Sequence, residues 1–432
     1  MVSTGHNQAA THLRYHKGFE TSREIPERWL MMQDTILPFD LVAPEEPILI
    51  DVDSLYQRFA QVTDQRQRRG KRSSLALILT IAVLAKLAGQ DKVEAIAEWA
   101  RLRAHELNAL FRRQRTSMPH PTTWRRILGQ AVDPQALTHI VGDVLAAASD
   151  EVPARGSILL VLDGKTLRGT IPRGSTRGDH LLAAYLPAAG VVLAQVAVDQ
   201  NENEISAAPR LLRHLDLTGM VVTGDAMHTQ RDLSIQIVEQ GGDYLWTVKE
   251  NQPTLRDDLE LLFDPDMVAF AGGAAALDFR TARTIEKAHG RLEERMITVS
   301  SLLHDYSDWP YLAQAFRLDY RHTDMVTGET SSEVRYGITS QPPDIADPRK
   351  LLAQVRGEWG IETGLHGRRD VTLGEDDAHL RHGQAAHVLA VLNNTVVGLV
   401  LKHGYTNLAQ ARRVLDYLVN KCLHHLCLSW ST

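Results

Sequence analysis

The 432-residue chain is predicted to be an α/β protein whose core is interrupted by a β-rich insertion and preceded by an α-helical domain. Three observations predict this. Two aliphatic and β-branched runs, Ser157–Asp163 and Met220–Asp225, have the composition of buried strands, and each ends on an aspartate. Hairpin-like and helix-like patterns alternate around them. About a hundred residues then separate the last strand of this series from the next amphipathic helix, too many for a loop in a compact domain.

Residues 1–45 are set apart as an N-terminal extension, and residues 46–150 as the helical domain. Within it, Arg66-Gln-Arg-Arg-Gly-Lys-Arg72 is a flexible basic run. Helices are expected from about Ser74 to Ala88, Val93 to Arg101 and His105 to Arg113. Pro119-His-Pro121 leads to a further helix, with Thr122 as its expected N-cap. The whole chain carries a net charge of −6, yet residues 55–130 hold 15 Lys/Arg against 5 Asp/Glu, so this segment is +10 and the remainder −16. Concentrated positive charge is the electrostatic footprint of phosphate binding. Arg68, Arg69, Lys71 and Arg72 in the run are candidate DNA contacts. So are Thr123, Arg125 and Arg126, if the last helix enters a groove as in a helix-turn-helix.

The first part of the core spans residues 151–256. After the Asp163 strand come strands at His180–Leu186 and Val191–Val198, joined by the turn-rich Pro187-Ala-Ala-Gly190. A helix is expected over Asn203–Leu215, shortened or kinked by Pro209. The Asp225 strand, a helix around Arg231–Gln240, a Gly241-Gly242 stop and a strand at Tyr244–Val248 follow.

The insertion, residues 257–345, holds the Gly/Ala-rich Ala271–Ala276 and strand-like segments at Thr281–Ile285, Arg291–Val299, Ala315–Tyr320 and Glu333–Ile338, with a turn at Val326–Glu329. The second part of the core, residues 346–432, starts with a long helix from Pro348. Its apolar face is Leu351, Leu352, Val355, Trp359 and Ile361, and Glu358, Glu362 and Arg369 fall roughly on one stripe. Cys422 and Cys427 flank His424 and His425 at a spacing that fits no usual zinc pattern, so a buried helix is expected there. The apolar run Leu75–Gly89 is too short to span a membrane, and no signal-peptide segment opens the chain.

Two aspartates at strand ends outline a site for a hard divalent cation, which takes carboxylate oxygens. Asp163-Gly-Lys-Thr-Leu-Arg-Gly169, Gly224-Asp-Ala-Met-His-Thr-Gln230, Lys249-Glu-Asn-Gln-Pro-Thr-Leu255 and Trp359-Gly-Ile-Glu-Thr-Gly-Leu-His366 with Asp370–Asp376 resemble, in order, the H-repeat-associated (ISAs-type) insertion-sequence transposases, a branch of the DDE transposases. The match runs from about Asp53 to the C-terminal region. Where this chain has Glu358, Thr363, Gly367 and Arg369, the family commonly has His, Asn, Trp and Leu.

The resemblance implies an RNase H-like core and a catalytic, metal-holding triad of Asp163, Asp225 and Glu362. It also implies Mg²⁺ as cofactor, with Mn²⁺ as a substitute. Double-stranded DNA, both transposon end and target, is the expected partner, bound by a homodimer or larger assembly in the bacterial cytoplasm, associated with the nucleoid. Lys165 and Arg168 are candidates to neutralise phosphates near the metals. His228, Lys249, Asn251, Arg291 and Arg369 are further candidate DNA contacts, and Gln252 follows the same strand. Trp246 is expected in the core, with base stacking as the less favoured role. Two other readings share the fold: an RNase H-like nuclease without strand transfer, and a domesticated transposase acting as a DNA-binding regulator. A phosphate-cradling loop finds no support, because no Gly-x-x-x-x-Gly-Lys-Ser/Thr word occurs.

Overall fold

The computed structural model describes residues 36–39, 48–67, 69, 71–145, 153–264, 266, 278–288 and 290–428. Most of the N-terminal extension, Arg68 and the Gly/Ala-rich Ala271–Ala276 therefore lie outside the described residues. So do the side chains of Cys422, His424, His425 and Cys427, although a helix runs through them.

A two-stranded ladder, β1 (Ile36–Phe39) with β2 (Ile48–Asp51), precedes six helices: α1 (Val52–Phe59), α2 (Leu75–Leu87), α3 (Val93–Leu102), α4 (Ala104–Leu110), α5 (Pro121–Gln130) and α6 (Pro134–Leu145). Ser74 caps α2 by accepting the Leu77 N–H. α5 is capped by His120, not by Thr122: Pro121 occupies the first helical position, and the His120 ring accepts the Thr122 N–H.

The core follows as β3 (Ile158–Leu167), β4 (Asp179–Leu186), β5 (Val191–Val198), α7 (Glu204–Leu212), β6 (Met220–Gly224), α8 (Arg231–Glu239), β7 (Asp243–Val248) and α9 (Pro253–Leu262). α7 accepts Pro209 in its interior and starts at a capping box in which Asn203 and Ser206 satisfy each other's backbone N–H. The insertion supplies β8 (Arg280–Ala288), β9 (Arg291–Ser300), β10 (Gln314–Asp324) and β11 (Thr330–Thr339). The chain closes with α10 (Pro348–Gly357), α11 (Ala385–Lys402) and α12 (Leu408–Leu428).

All core and insertion strands form one nine-stranded sheet, ordered β5-β4-β3-β6-β7-β11-β10-β9-β8. Its first five strands have the RNase H arrangement: β3, β6 and β7 are parallel, β4 is antiparallel to β3, and β5 is antiparallel to β4. The insertion is not a separate layer. β11 pairs antiparallel with β7, from Tyr336 opposite Val248 to Thr339 opposite Leu245, and the other three strands extend the sheet from there.

Alternation along β3 sends Leu160 and Leu162 to one face, under α7, α8 and α9, and Val161 to the other. On that second face α10 packs over β6, β7, β9 and β10. α11 and the N-terminal helices cover β3 to β5. Every residue of α2 is buried, as expected of a helix that is apolar all round. Its neighbours include α11 and α12, so helices α1 to α6 share one continuous core with buried residues between Ile361 and Val419. α11 has the length and hydropathy of a membrane span, but most of it is buried in this core.

Candidate active site

The parallel β3–β6 ladder ends at Leu162 opposite Gly224. The next residue after each is an aspartate, so the register brings Asp163 and Asp225 side by side. Asp225 follows the end of β6, as expected, whereas Asp163 is not at a strand end. β3 runs on to Leu167 because β4 keeps it paired after β6 has stopped. Only glycine fits opposite: a Cβ on Gly224 would lie 2.7 Å from the Leu162 carbonyl oxygen.

A partly buried polar network lies beside the two aspartates. Glu204, at the start of α7, accepts a hydrogen bond from His180 Nε2 at 2.8 Å, and its other oxygen lies 3.4 Å from His228 Nε2. Thr166 Oγ1 is 2.8 Å from the second nitrogen of His180. Burial raises the Glu204 pKa, but hydrogen bonds from His180 and His228 outweigh it and bring it down to about 2. Gly164, next to Asp163, has no room for a Cβ because the Glu204 carboxylate occupies that space. The network thus joins β3, β4, α7 and the turn after Asp225.

That turn is braced from the Lys249–Leu255 segment. Asn251 Nδ2 donates to the Ala226 carbonyl at 2.7 Å, and Gln252 Nε2 donates to the Thr229 carbonyl at 2.9 Å. Both amides therefore hold the loop that carries Asp225.

The facing segment follows α10. The single long helix expected there stops at Gly357; after a turn at Glu358 and Trp359 the backbone resumes with π-type winding through Glu362–His366 and Arg368–Thr372. Such winding is concentrated at functional sites. Glycines at 357, 360, 364 and 367 weaken a regular helix here. One of them, Gly364, lets the segment lie against Tyr185, whose hydroxyl would be 2.7 Å from a Cβ at that position.

Glu358, Glu362 and His366 follow one another at four-residue spacing, close to one turn. His366 Nε2 is 3.0 Å from Asp163 Oδ2. Glu358 is half-buried, and its pKa is pushed up to about 7, first by burial and then by the charges of Asp225 and Asp163, with Arg335 and Lys249 opposing. Glu362 lies between these two residues in sequence and is exposed. Trp359 is exposed beside them, with the Arg335 guanidinium 5.7 Å from its ring centre.

The oxygen-only donor set of Asp163, Asp225, Glu358 and Glu362 suits Mg²⁺. Burial and the two aspartates both disfavour a charged Glu358, and a cation bound among these carboxyls would favour it. Among the described residues, no three His, Cys, Asp or Glu side chains are close enough to hold one metal ion between them.

The remaining sequence candidates divide by accessibility. Lys249, Arg69, Arg72, Arg126 and Arg291 are exposed. Lys165 is buried, with Nζ 2.6 Å from Asp370 and 3.7 Å from Asp376, while the Arg168 side chain is exposed 3.8 Å from Asp376. Lys71 lies 3.7 Å from Asp64, Arg125 pairs with Glu94, and Thr123 is half-buried. His228 is fully buried against Glu204, so its ring is closed to DNA. Trp246 is also fully buried and donates to Ser234 Oγ at 3.0 Å.

Arg369 departs furthest from expectation. It is buried and paired with buried Glu375 at 2.7 Å, so neither residue lies on a solvated or DNA-facing stripe. Asn393 donates to the same carboxylate at 2.8 Å. Removing one partner of a buried pair leaves an uncompensated charge, so Glu375→Gln is expected to destabilise the fold by about 3–5 kcal/mol. Urea unfolding of both proteins measures this, and an unchanged midpoint would argue that the pair is solvated.

The sequence reading passed over His180 and Glu204, and gave His366 no role although the residue closes one of the family words. Their functional signal lies in contacts across the fold, Glu204 being 24 residues from His180.

A family model described as "Transposase DDE domain" matches residues 154–399, which contain both aspartates and the facing segment. The chain belongs to the DDE transposases. A second model, "DDE_Tnp_1-associated", matches residues 56–144 of this transposase. The "Putative transposase YncI" of Escherichia coli O157:H7 is 28% identical over 81% of this chain and 88% of its own length. The "H repeat-associated putative transposase YhhI" of Escherichia coli K12 is 26% identical over 81% of this chain and 91% of its own length, so the H-repeat resemblance is met among the relatives. A faint structural likeness, with a TM-score of 0.36 and 9% identity over 86% of this chain and 79% of the other, is to a piggyBac transposase in a synaptic complex with hairpin DNA. At that score it carries no argument.

Proposed function

We propose that this transposase cuts DNA at the ends of an insertion sequence and joins the resulting 3′-hydroxyl ends to target DNA. The observation that carries the reading is the placing of Asp163 and Asp225 side by side, with Glu358, Glu362 and His366 on the segment that faces them. Asp163, Asp225 and Glu362 are the residues that would hold Mg²⁺, or Mn²⁺ in its place, and Glu358 adds a fourth carboxyl near them. Two such ions supply Lewis-acid activation of the attacking oxygen and neutralise charge at the leaving one.

The protein's part is to position and to screen. The Glu204 network and the Asn251 and Gln252 amides brace the turn that follows Asp225. His366 Nε2 lies 3.0 Å from one oxygen of Asp163, and the Gly164 N–H donates to the other at 2.8 Å. Lys249, exposed just after β7 and close enough to Glu358 to lower its pKa, would meet a phosphate of DNA bound at the aspartates. The attacking oxygen is water in the first step and a DNA 3′-hydroxyl in the second, so no covalent protein intermediate is needed. Two ends must be held together for joining, which calls for a homodimer or larger assembly acting on nucleoid DNA in the cytoplasm.

A strand-transfer assay tests the reading: joined product supports it, whereas cleavage without joining would identify a nuclease.

A further inference from the structure

The helical region holds a second concentration of positive charge besides the Arg66–Arg72 run. α4 closes with a Schellman turn: the Arg113 N–H reaches the Asn108 carbonyl at 2.7 Å, and the Arg112 N–H reaches the Ala109 carbonyl at 2.9 Å. Arg112 therefore takes a φ of +46°, at the position where this motif favours glycine. α2, α8 and α11 end in the same pair of bonds, and each puts glycine there: Gly89, Gly241 and Gly404, at φ +88°, +82° and +80°. Of these four helices, α4 alone places a long cation in the left-handed region. A non-glycine residue held there is a pointer to function.

The turn lines a pocket of about 590 Å³, together with the end of α4, through Arg112, Arg113, Gln114, Arg115 and Thr116. Arg113 anchors it. Its guanidinium donates to Asn108 Oδ1 at 2.9 Å, Ser73 Oγ at 3.1 Å and Met118 Sδ at 3.5 Å, all neutral partners. Burial, and after it the neighbouring Arg115, lower its pKa. Five other cations of the segment do meet an acid: Arg66 and Lys71 with Asp64, Lys86 with Asp91, Arg101 with Glu98, Arg125 with Glu94. Among the described residues, no ion pair joins Arg112, Arg113 or Arg115 to a carboxylate. The bond to Ser73 also fastens this turn to the end of the basic run, beside Arg72.

We propose that the α4–α5 turn binds the phosphate backbone of double-stranded DNA, with Arg112 and Arg115 as the contacting residues and Arg113 as the residue that positions them. This deepens the reading of the chain as a DNA-joining enzyme and rests on it. Guanidinium groups match phosphate oxygens in geometry as well as charge. Backbone contacts fix register without reading sequence, so the site serves any duplex alike.

The test uses the full-length protein without divalent cation. Fluorescence anisotropy follows a labelled duplex carrying an insertion-sequence end, and one of unrelated sequence, across a salt series. In the double variant Arg112→Asn/Arg115→Gln, asparagine tolerates the left-handed backbone. Its affinity for both duplexes is expected to fall about tenfold or more at low salt, and its salt slope to flatten by about two. The charge-keeping variant Arg112→Lys/Arg115→Lys is expected to retain most of the slope. Wild-type binding with an unchanged slope in the double variant would overturn this site and leave the DNA reading intact. An equal loss in the lysine variant would assign the arginines a structural role and overturn it too. If the wild type bound neither duplex, the DNA reading itself would fail, and this inference with it.

Discussion

Asp225→Asn is expected to lower DNA-end cleavage by about 10³-fold or more, equivalent to roughly 4 kcal/mol of transition-state stabilisation, while leaving the fold at least as stable as before. The substitution keeps the side chain's shape and removes its charge. Asp225 is exposed at the end of β6 and is one of the two charges that raise the Glu358 pKa. Removing it relieves a repulsion that the folded protein tolerates for the sake of the site, a form of the trade between stability and activity. Thermal unfolding and end cleavage, measured on the same preparations, check both halves. Loss of activity together with a large drop in stability would mean that Asp225 is structural.

Glu362→Gln and Glu358→Gln are expected to fail in different ways. Glu362 is the acid selected by the family word, and it lies one turn from each of two residues that engage the aspartates, Glu358 and His366. Its loss should remove cleavage at any Mg²⁺ concentration, by about 10³-fold, while DNA still binds. Glu358 lies within the field of both aspartates without belonging to the family word. Its replacement should raise the Mg²⁺ concentration needed for half-maximal rate and leave most of the maximal rate. Titrating Mg²⁺ against cleavage for both variants, with binding followed by gel shift, separates the roles. The reverse pattern would make Glu358 the third metal-holding acid.

How much of this was legible in the sequence depended on how local the cause was. β4 and β5 were readable to within a residue, because β-branched and aliphatic runs bounded by Pro187 and Gly190 leave little choice. The insertion strands were also readable, but not their partner. Alternation gives a strand its faces, whereas the pairing of β11 with β7 depends on which edge of the core is open.

The shared core of the N-terminal and C-terminal helices did leave a trace. Leu75–Leu87 is apolar on every side, and a helix of that kind needs covering all round. Arg369 was misplaced because a charged residue at helical spacing from two acids reads as surface, and its buried partner Glu375 sits beyond the end of that pattern. His366, Glu204 and the Arg112 turn were hidden for a related reason. Each depends on a contact or a backbone angle that the fold imposes, through Asp163, through His180 and His228, and through the closure of α4.

The most direct measurement is Mg²⁺-dependent cutting and joining of a labelled duplex taken from the DNA flanking this coding region. The wild-type chain would be compared with Asp163→Asn, and a supercoiled plasmid would serve as target. The expected result is a nick at the end of the element followed by covalent transfer of the label to the plasmid, both dependent on Mg²⁺ and both absent in Asp163→Asn, which should still bind the duplex. Joined product from Asp163→Asn, or a wild type that binds the ends but neither cuts nor joins them with Mg²⁺ or Mn²⁺, would contradict the assignment of Asp163 and Asp225 as the centre of a DNA-joining site.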